Sequence, residues 1–158
     1  MSRLERHAQV AAAPDRVWAV LANFGAISQW VPLIQHSCLL SEQTEGIGVV
    51  RRVQIARQTL VERVVTWQPE HELAYDIEGL PAVVGVARNT WRLVPANEGR
   101  STDVVLVTEL DPGRNPAKRL VSKKVLERMA FASEMMLAGL VAAAPASEFD
   151  RVRHGESE

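Results

Sequence analysis

Arg51 and Glu62 are the pair of residues in this sequence best suited to chemistry. They sit in the segments GIGVVRRVQI and LVERVVTWQ, on either side of a short polar turn. With Arg57-Gln58 as a two-residue turn, side-chain alternation places Arg51, Val53, Ile55, Leu60, Glu62 and Val64 on one face of a hairpin. That face is the more apolar and is expected to point inward. Glu62 then stands across from Val53 and diagonal to Arg51, within reach of a long side chain. Burying either charge alone costs several kcal/mol, so both are tolerable only if they pair or meet water and a polar ligand. In such a place Arg51 could stabilise a developing enolate while Glu62 or Tyr75 shuttles a proton. An Arg and a Glu on neighbouring strands are, however, more often a structural pair. His36 could act as a base near neutral pH, or stand partly exposed and idle at a helix-to-strand junction.

Other chemistries lack their residues. No Ser-His-Asp set, glycine-rich phosphate loop or Cys/His cluster at metal-ligand spacing can be assembled, so no metal and no cofactor is expected. The single cysteine, Cys38, cannot form an internal disulfide and is read as a small buried apolar residue. Eighteen Lys and Arg against nineteen Asp and Glu leave a net charge of −1, which gives no field to gather nucleic acid. The start, MSRLERHA, carries charges where a signal peptide needs an apolar run, and no stretch is apolar enough for a membrane span. A cytoplasmic protein without integral membrane association is expected, as a monomer or weak homodimer.

Length and composition suit one domain: 158 residues, 47% of them hydrophobic. We expect a single domain over 1–144 and a tail from 145. A weakly alternating strand over about 3–11 leads to a short helix opened by Ala13-Pro14-Asp15, and Ala26 to Trp30 reads as a second short helical turn. Strand patterns follow at 37–42, 48–56, 59–67, 72–78, 85–95 and 102–110, and Asn115-Pro116 starts a long helix running to about Ala144. The fold class is therefore α+β: a curved antiparallel sheet of about seven strands around a long C-terminal helix, the helix-grip arrangement. Alternation adds Leu73, Tyr75 and Ile77, then Ala87, Asn89, Trp91 and Leu93, then Val105 and Val107 to the inner face. On the long helix, Val121, Val125, Met129, Ala132, Met136 and Leu140 form the apolar stripe. Its methionines could serve an adjustable wall or ordinary core filling.

The segments APDRVWAVLANFGAISQWVP, GIGVVRRVQI and LVERVVTWQPEHELAYDIEG, with the long terminal helix, resemble the START-related superfamily of polyketide cyclase/dehydrase and lipid transport proteins. The stretch from Gln35 to Gly79 is also similar to bacterial relatives of the plant abscisic acid receptors. The resemblance implies a deep cavity and a small hydrophobic or amphipathic ligand. It implies that the receptors' ligand-binding lysine falls at His36, the polar pocket positions at Arg51 and Glu62, an aromatic position at Tyr75 and a hydroxyl-bearing one at Asn89. The gating loop has no counterpart, since only Ala56-Arg57-Gln58 joins the two strands, and the receptors' pocket tyrosine falls at Ala87. The expected ligand-contacting set is His36, Arg51, Val53, Glu62, Tyr75, Asn89, Trp91, Val107, Met129 and Met136. Three functions remain open: a binding or carrier protein, a polyketide cyclase or dehydratase, and an interaction module with a collapsed cavity. Gly79-Leu80-Pro81-Ala82 reads as a surface turn or as a flap over the cavity mouth.

Overall fold

Punctuating residues set the order of elements. Strand β1 (Ser2–Val10) runs into helix α1 (Pro14–Ala22), whose first turn holds Pro14 where a missing N–H costs nothing. A 3-10 turn, Phe24–Gln29, follows. Five strands then form a meander: β2 (His36–Leu39), β3 (Val50–Ile55), β4 (Gln58–Gln68), β5 (Glu72–Glu78) and β6 (Val86–Ala96). A short 3-10 turn, Ala82–Val84, precedes β6, and β7 (Ser101–Asp111) completes the sheet. The last element is α2 (Pro116–Ala143), capped by the Asn115 side chain, which accepts from the amides of Ala117 and Lys118. This computed structural model describes residues 2–144; the expected tail from 145 lies outside the described residues.

All seven strands pair antiparallel in the order β1-β7-β6-β5-β4-β3-β2. A bulge between Val64 and Thr66 interrupts the β4/β5 ladder, a device that bends a strand and deepens its twist. The sheet curves around α2, which lies against β1 and β7. Gly139 is the point of closest approach: a Cβ there would lie 2.2 Å from the Trp30 carbonyl oxygen. Gly85 serves the opposite end, with φ of 68° and the Asp111 carbonyl where a side chain would be. The core between the layers is aromatic-rich, with edge-on contacts between Trp18 and Trp67, Phe24 and Tyr75, and Trp30 and Trp91.

Three local expectations need correction. The β3/β4 turn is Ala56-Arg57, with Ile55 opposite Gln58, so Glu62 lies directly opposite Arg51 rather than Val53. Moving the turn by one residue slides the pairing by two, which leaves every side chain on its expected face. Cys38 is exposed: it pairs with Arg52 on the outer face of the edge strand, while its neighbours Ser37 and Leu39 turn inward beside Val53 and Arg51. On α2, Val121 is exposed, and Ser122, Met136, Leu137 and Leu140 are buried along with Ser133. The buried row begins one residue later than the apolar pattern suggests because two of its members are serines.

Candidate ligand cavity

The hairpin register brings Arg51 and Glu62 together below the sheet surface. Arg51 Nε donates to Glu62 Oε1 at 2.7 Å, and Arg51 Nη1 donates to the Phe24 carbonyl at 3.0 Å. The guanidinium carbon lies 3.7 Å from the Phe24 ring centroid and 4.6 Å from that of Tyr75, so the cation is clamped between two aromatic faces. The two residues are 2% and 5% exposed. Arg51 Nη2 is buried and has no hydrogen-bond partner among the described residues.

Beside this pair runs a chain of neutral polar groups. Trp91 Nε1 and Asn89 Nδ2 both donate to the Tyr75 hydroxyl, at 3.3 and 3.4 Å. Thr108 Oγ1 donates to Asn89 Oδ1 at 2.7 Å and lies 3.4 Å from Ser133 Oγ on α2. Burial pushes the Tyr75 phenol pKa up, and the Glu62 charge pushes it the same way. Tyr75 therefore stays protonated at neutral pH and serves as a hydrogen-bonding group, not as a base.

A cavity of about 370 Å³ opens above these groups, between the sheet, α2 and the loop from Ile27 to Ile34. Its walls are mainly aliphatic: Ile27, Val31, Leu33 and Ile34 from that loop, Val53, Ile55, Leu60 and Ile77 from β3, β4 and β5, and Val125, Met129 and Met136 from α2. Glu62 and Asn89 supply the polar end. Gln58, Pro81, Arg128 and Phe131 also line the cavity and are exposed, which marks its mouth.

Five of the ten residues expected from sequence line this cavity: Val53, Glu62, Asn89, Met129 and Met136. Arg51, Tyr75 and Trp91 lie behind the lining and hold the polar end in place. His36 and Val107 do not line this cavity. His36 is exposed and pairs with Gln54 on the outer face. Val107 is buried, yet its partners Thr90 and Glu5 share the outer face with it; the inward residues of β7 are Leu106 and Thr108, opposite Trp91 and Asn89. The expected row of Val105 and Val107 lies one residue off: the run Val104 to Val107 is apolar on both faces, but over the whole strand Asp103, Glu109 and Asp111 share the face of Val105 and Val107 and mark it as the outer one. Sequence reasoning also missed Arg128 and Phe131, and it left open a surface turn at Leu80 and Pro81, which line the cavity. No signal in the sequence marked Arg128 as different from the other basic residues of α2.

The whole described chain follows a known pattern: residues 1–144 match the family described as polyketide cyclase/dehydrase and lipid transport. The chain belongs to that family. Among solved structures of the helix-grip type, XoxI from Bacillus cereus is 18% identical with a TM-score of 0.73, over 91% of this chain and 96% of that one. The ZhuI aromatase/cyclase from Streptomyces sp. R1128 is 22% identical with a TM-score of 0.69, over 93% and 98%. A START superfamily protein from Mycobacterium smegmatis is 15% identical with a TM-score of 0.67, over 90% and 96%. At these identities the likeness establishes a shared fold. No curated protein sequence matches the chain. For this member of the polyketide cyclase/dehydrase and lipid transport family, no group of three His, Cys, Asp or Glu among the described residues could hold a metal. No helix among them is long and apolar enough to cross a membrane.

Proposed function

We propose that the protein binds a small hydrophobic or amphipathic molecule in the cavity between the sheet and α2, as a carrier or binding protein. The observation that supports this is the distribution of the lining: an aliphatic wall around about 370 Å³, with polar groups confined to one end. A cyclase or dehydratase using the same cavity has less in its favour. The arginine that would stabilise an enolate lies behind the lining, with Nε and Nη1 already engaged, and the phenol beside it is held protonated. An interaction module with a collapsed cavity has no support from an open, lined one.

Native mass spectrometry of gently purified protein tests the proposal, with the denatured mass as reference. A bound small molecule lost on denaturation is the expected result. A bare native mass, with no rise in melting temperature across a panel of one- and two-ring compounds and short acyl chains, would overturn it.

A further inference from the structure

We propose that the cavity selects a neutral ligand of one or two rings that carries a hydroxyl group, and that this hydroxyl enters first and donates to the free oxygen of Glu62. This deepens the proposed binding function and rests on it. Glu62 lines the cavity, and Oε1 accepts from Arg51, while Oε2 accepts no hydrogen bond among the described residues. An ionised carboxylate is an acceptor only, so the partner for Oε2 must bring a proton. A donor to a charged group is worth more than a neutral hydrogen bond, and most in a water-poor site.

The charges on the page narrow the donor further. The Arg51 guanidinium already neutralises Glu62 in a buried pair. An ammonium added to that pair would leave a net buried positive charge, and a ligand carboxylate would place two anions and no shared proton face to face. A hydroxyl adds no charge. It can also accept, and the Asn89 amide, which lines the same cavity two strands away, keeps one Nδ2 hydrogen after its bond to Tyr75.

Size follows from the strand that crosses the cavity. Gln58 at the mouth and Glu62 at the polar end are four residues apart on β4, roughly 13 Å at about 3.3 Å per residue. A space of about 370 Å³ along that path lies near the low end of small-molecule pockets, which run from roughly 300 to 1,000 Å³. It suits a bicyclic ring or a short chain rather than a four-ring polyketide or a two-chain lipid.

Titration calorimetry at pH 7 with 2-naphthol, naphthalene and 2-naphthoate separates the possibilities, because the three share one ring system and differ in a single group. We expect 2-naphthol to bind about tenfold tighter than naphthalene, and 2-naphthoate to bind more weakly than either. In the paired variant Arg51→Met/Glu62→Leu, naphthalene should still bind and the preference for 2-naphthol should vanish. Naphthalene binding as tightly as 2-naphthol, or 2-naphthoate binding tightest, would overturn the hydroxyl assignment while leaving the cavity a binding site. A preference that survives in the paired variant would overturn the role of Glu62. Failure of all three compounds to bind the wild-type protein would overturn the assignment together with the reading on which it rests.

Discussion

Replacing Glu62 alone is expected to cost the fold far more than replacing it together with Arg51. In Glu62→Leu the guanidinium of Arg51 loses its counter-ion at 2.7 Å while remaining 2% exposed. Its Nη1 bond to the Phe24 carbonyl and its stacking on Phe24 and Tyr75 persist, but Nη2 is already without a partner and a second nitrogen joins it. Breaking one side of a buried ion pair costs about 3–5 kcal/mol. At about 2–4 °C of melting temperature per kcal/mol for a chain of this size, the midpoint should fall by on the order of 10 °C. In Arg51→Met/Glu62→Leu no charge is stranded, and apolar side chains of similar volume fill the space, so stability should return to within about 2 kcal/mol of wild type. Urea unfolding of wild type, both single variants and the double variant closes the cycle and yields the coupling directly. A loss below about 1 kcal/mol in Glu62→Leu, or a double variant as damaged as the two singles summed, would refute the reasoning.

Tyr75 is the only tyrosine, so tyrosinate absorbance reports this one site. Its raised folded pKa means that its contribution to stability is complete below the unfolded value of about 10 and is lost as pH rises from there through the folded value. Ionisation in the folded protein should coincide with unfolding, and Tyr75→Phe should abolish that alkaline step; ionisation at the ordinary pKa with the fold intact would contradict it. Ala132→Trp fills the cavity from α2, and should lower the affinity for any cavity ligand at least tenfold with little change in melting temperature, measured by calorimetry and thermal unfolding together. Gly139→Ala drives a methyl group into the Trp30 carbonyl and should cost about 1–3 kcal/mol despite alanine's better helix propensity, a sign that urea unfolding reads directly.

The sequence made the sheet legible because its strands are bounded by turn residues and most of them bury one face. The inward row Arg51, Val53, Leu60, Glu62 and Val64 was recoverable even with the turn misplaced, since a slip of two preserves facing. At β7 the short run Val104 to Val107 misleads, since Leu106 and Val107 are both buried, and only the charges at Asp103, Glu109 and Asp111 mark the outer row. Periodicity failed on α2 for a different reason: Ser122 and Ser133 sit in the buried row, and a hydrophobic pattern cannot register a serine that bonds, as Ser133 does, to a threonine across the core. His36 illustrates a third limit. Its place rests on a resemblance, and a one-residue difference along an edge strand reverses which side chain turns inward: that side chain is Ser37, whose hydroxyl bonds the Gly25 carbonyl and Ser28 rather than lining the cavity. The polar network of Asn89, Tyr75, Trp91 and Thr108 depends on contacts between strands, which composition does not encode.

The close seat of Gly139 on Trp30 has a bearing on time as well as shape. The buried residues of α2 after Ser122 all fall in its second half, from Ser133 to Leu140, so the helix is fastened at one end and rests lightly at the other. The lightly held end carries Val125, Arg128 and Met129, which form part of the cavity wall. Lifting of these few helical turns would widen the cavity mouth without unfolding the rest, an opening drawn from the low end of the protein's range of local stabilities. For the proposed ligand, residence time and thermal stability would then be separate properties, the first set by this local opening and the second by global unfolding. Amide exchange should show that division as fast protons before Met129 and slow ones after Ser133.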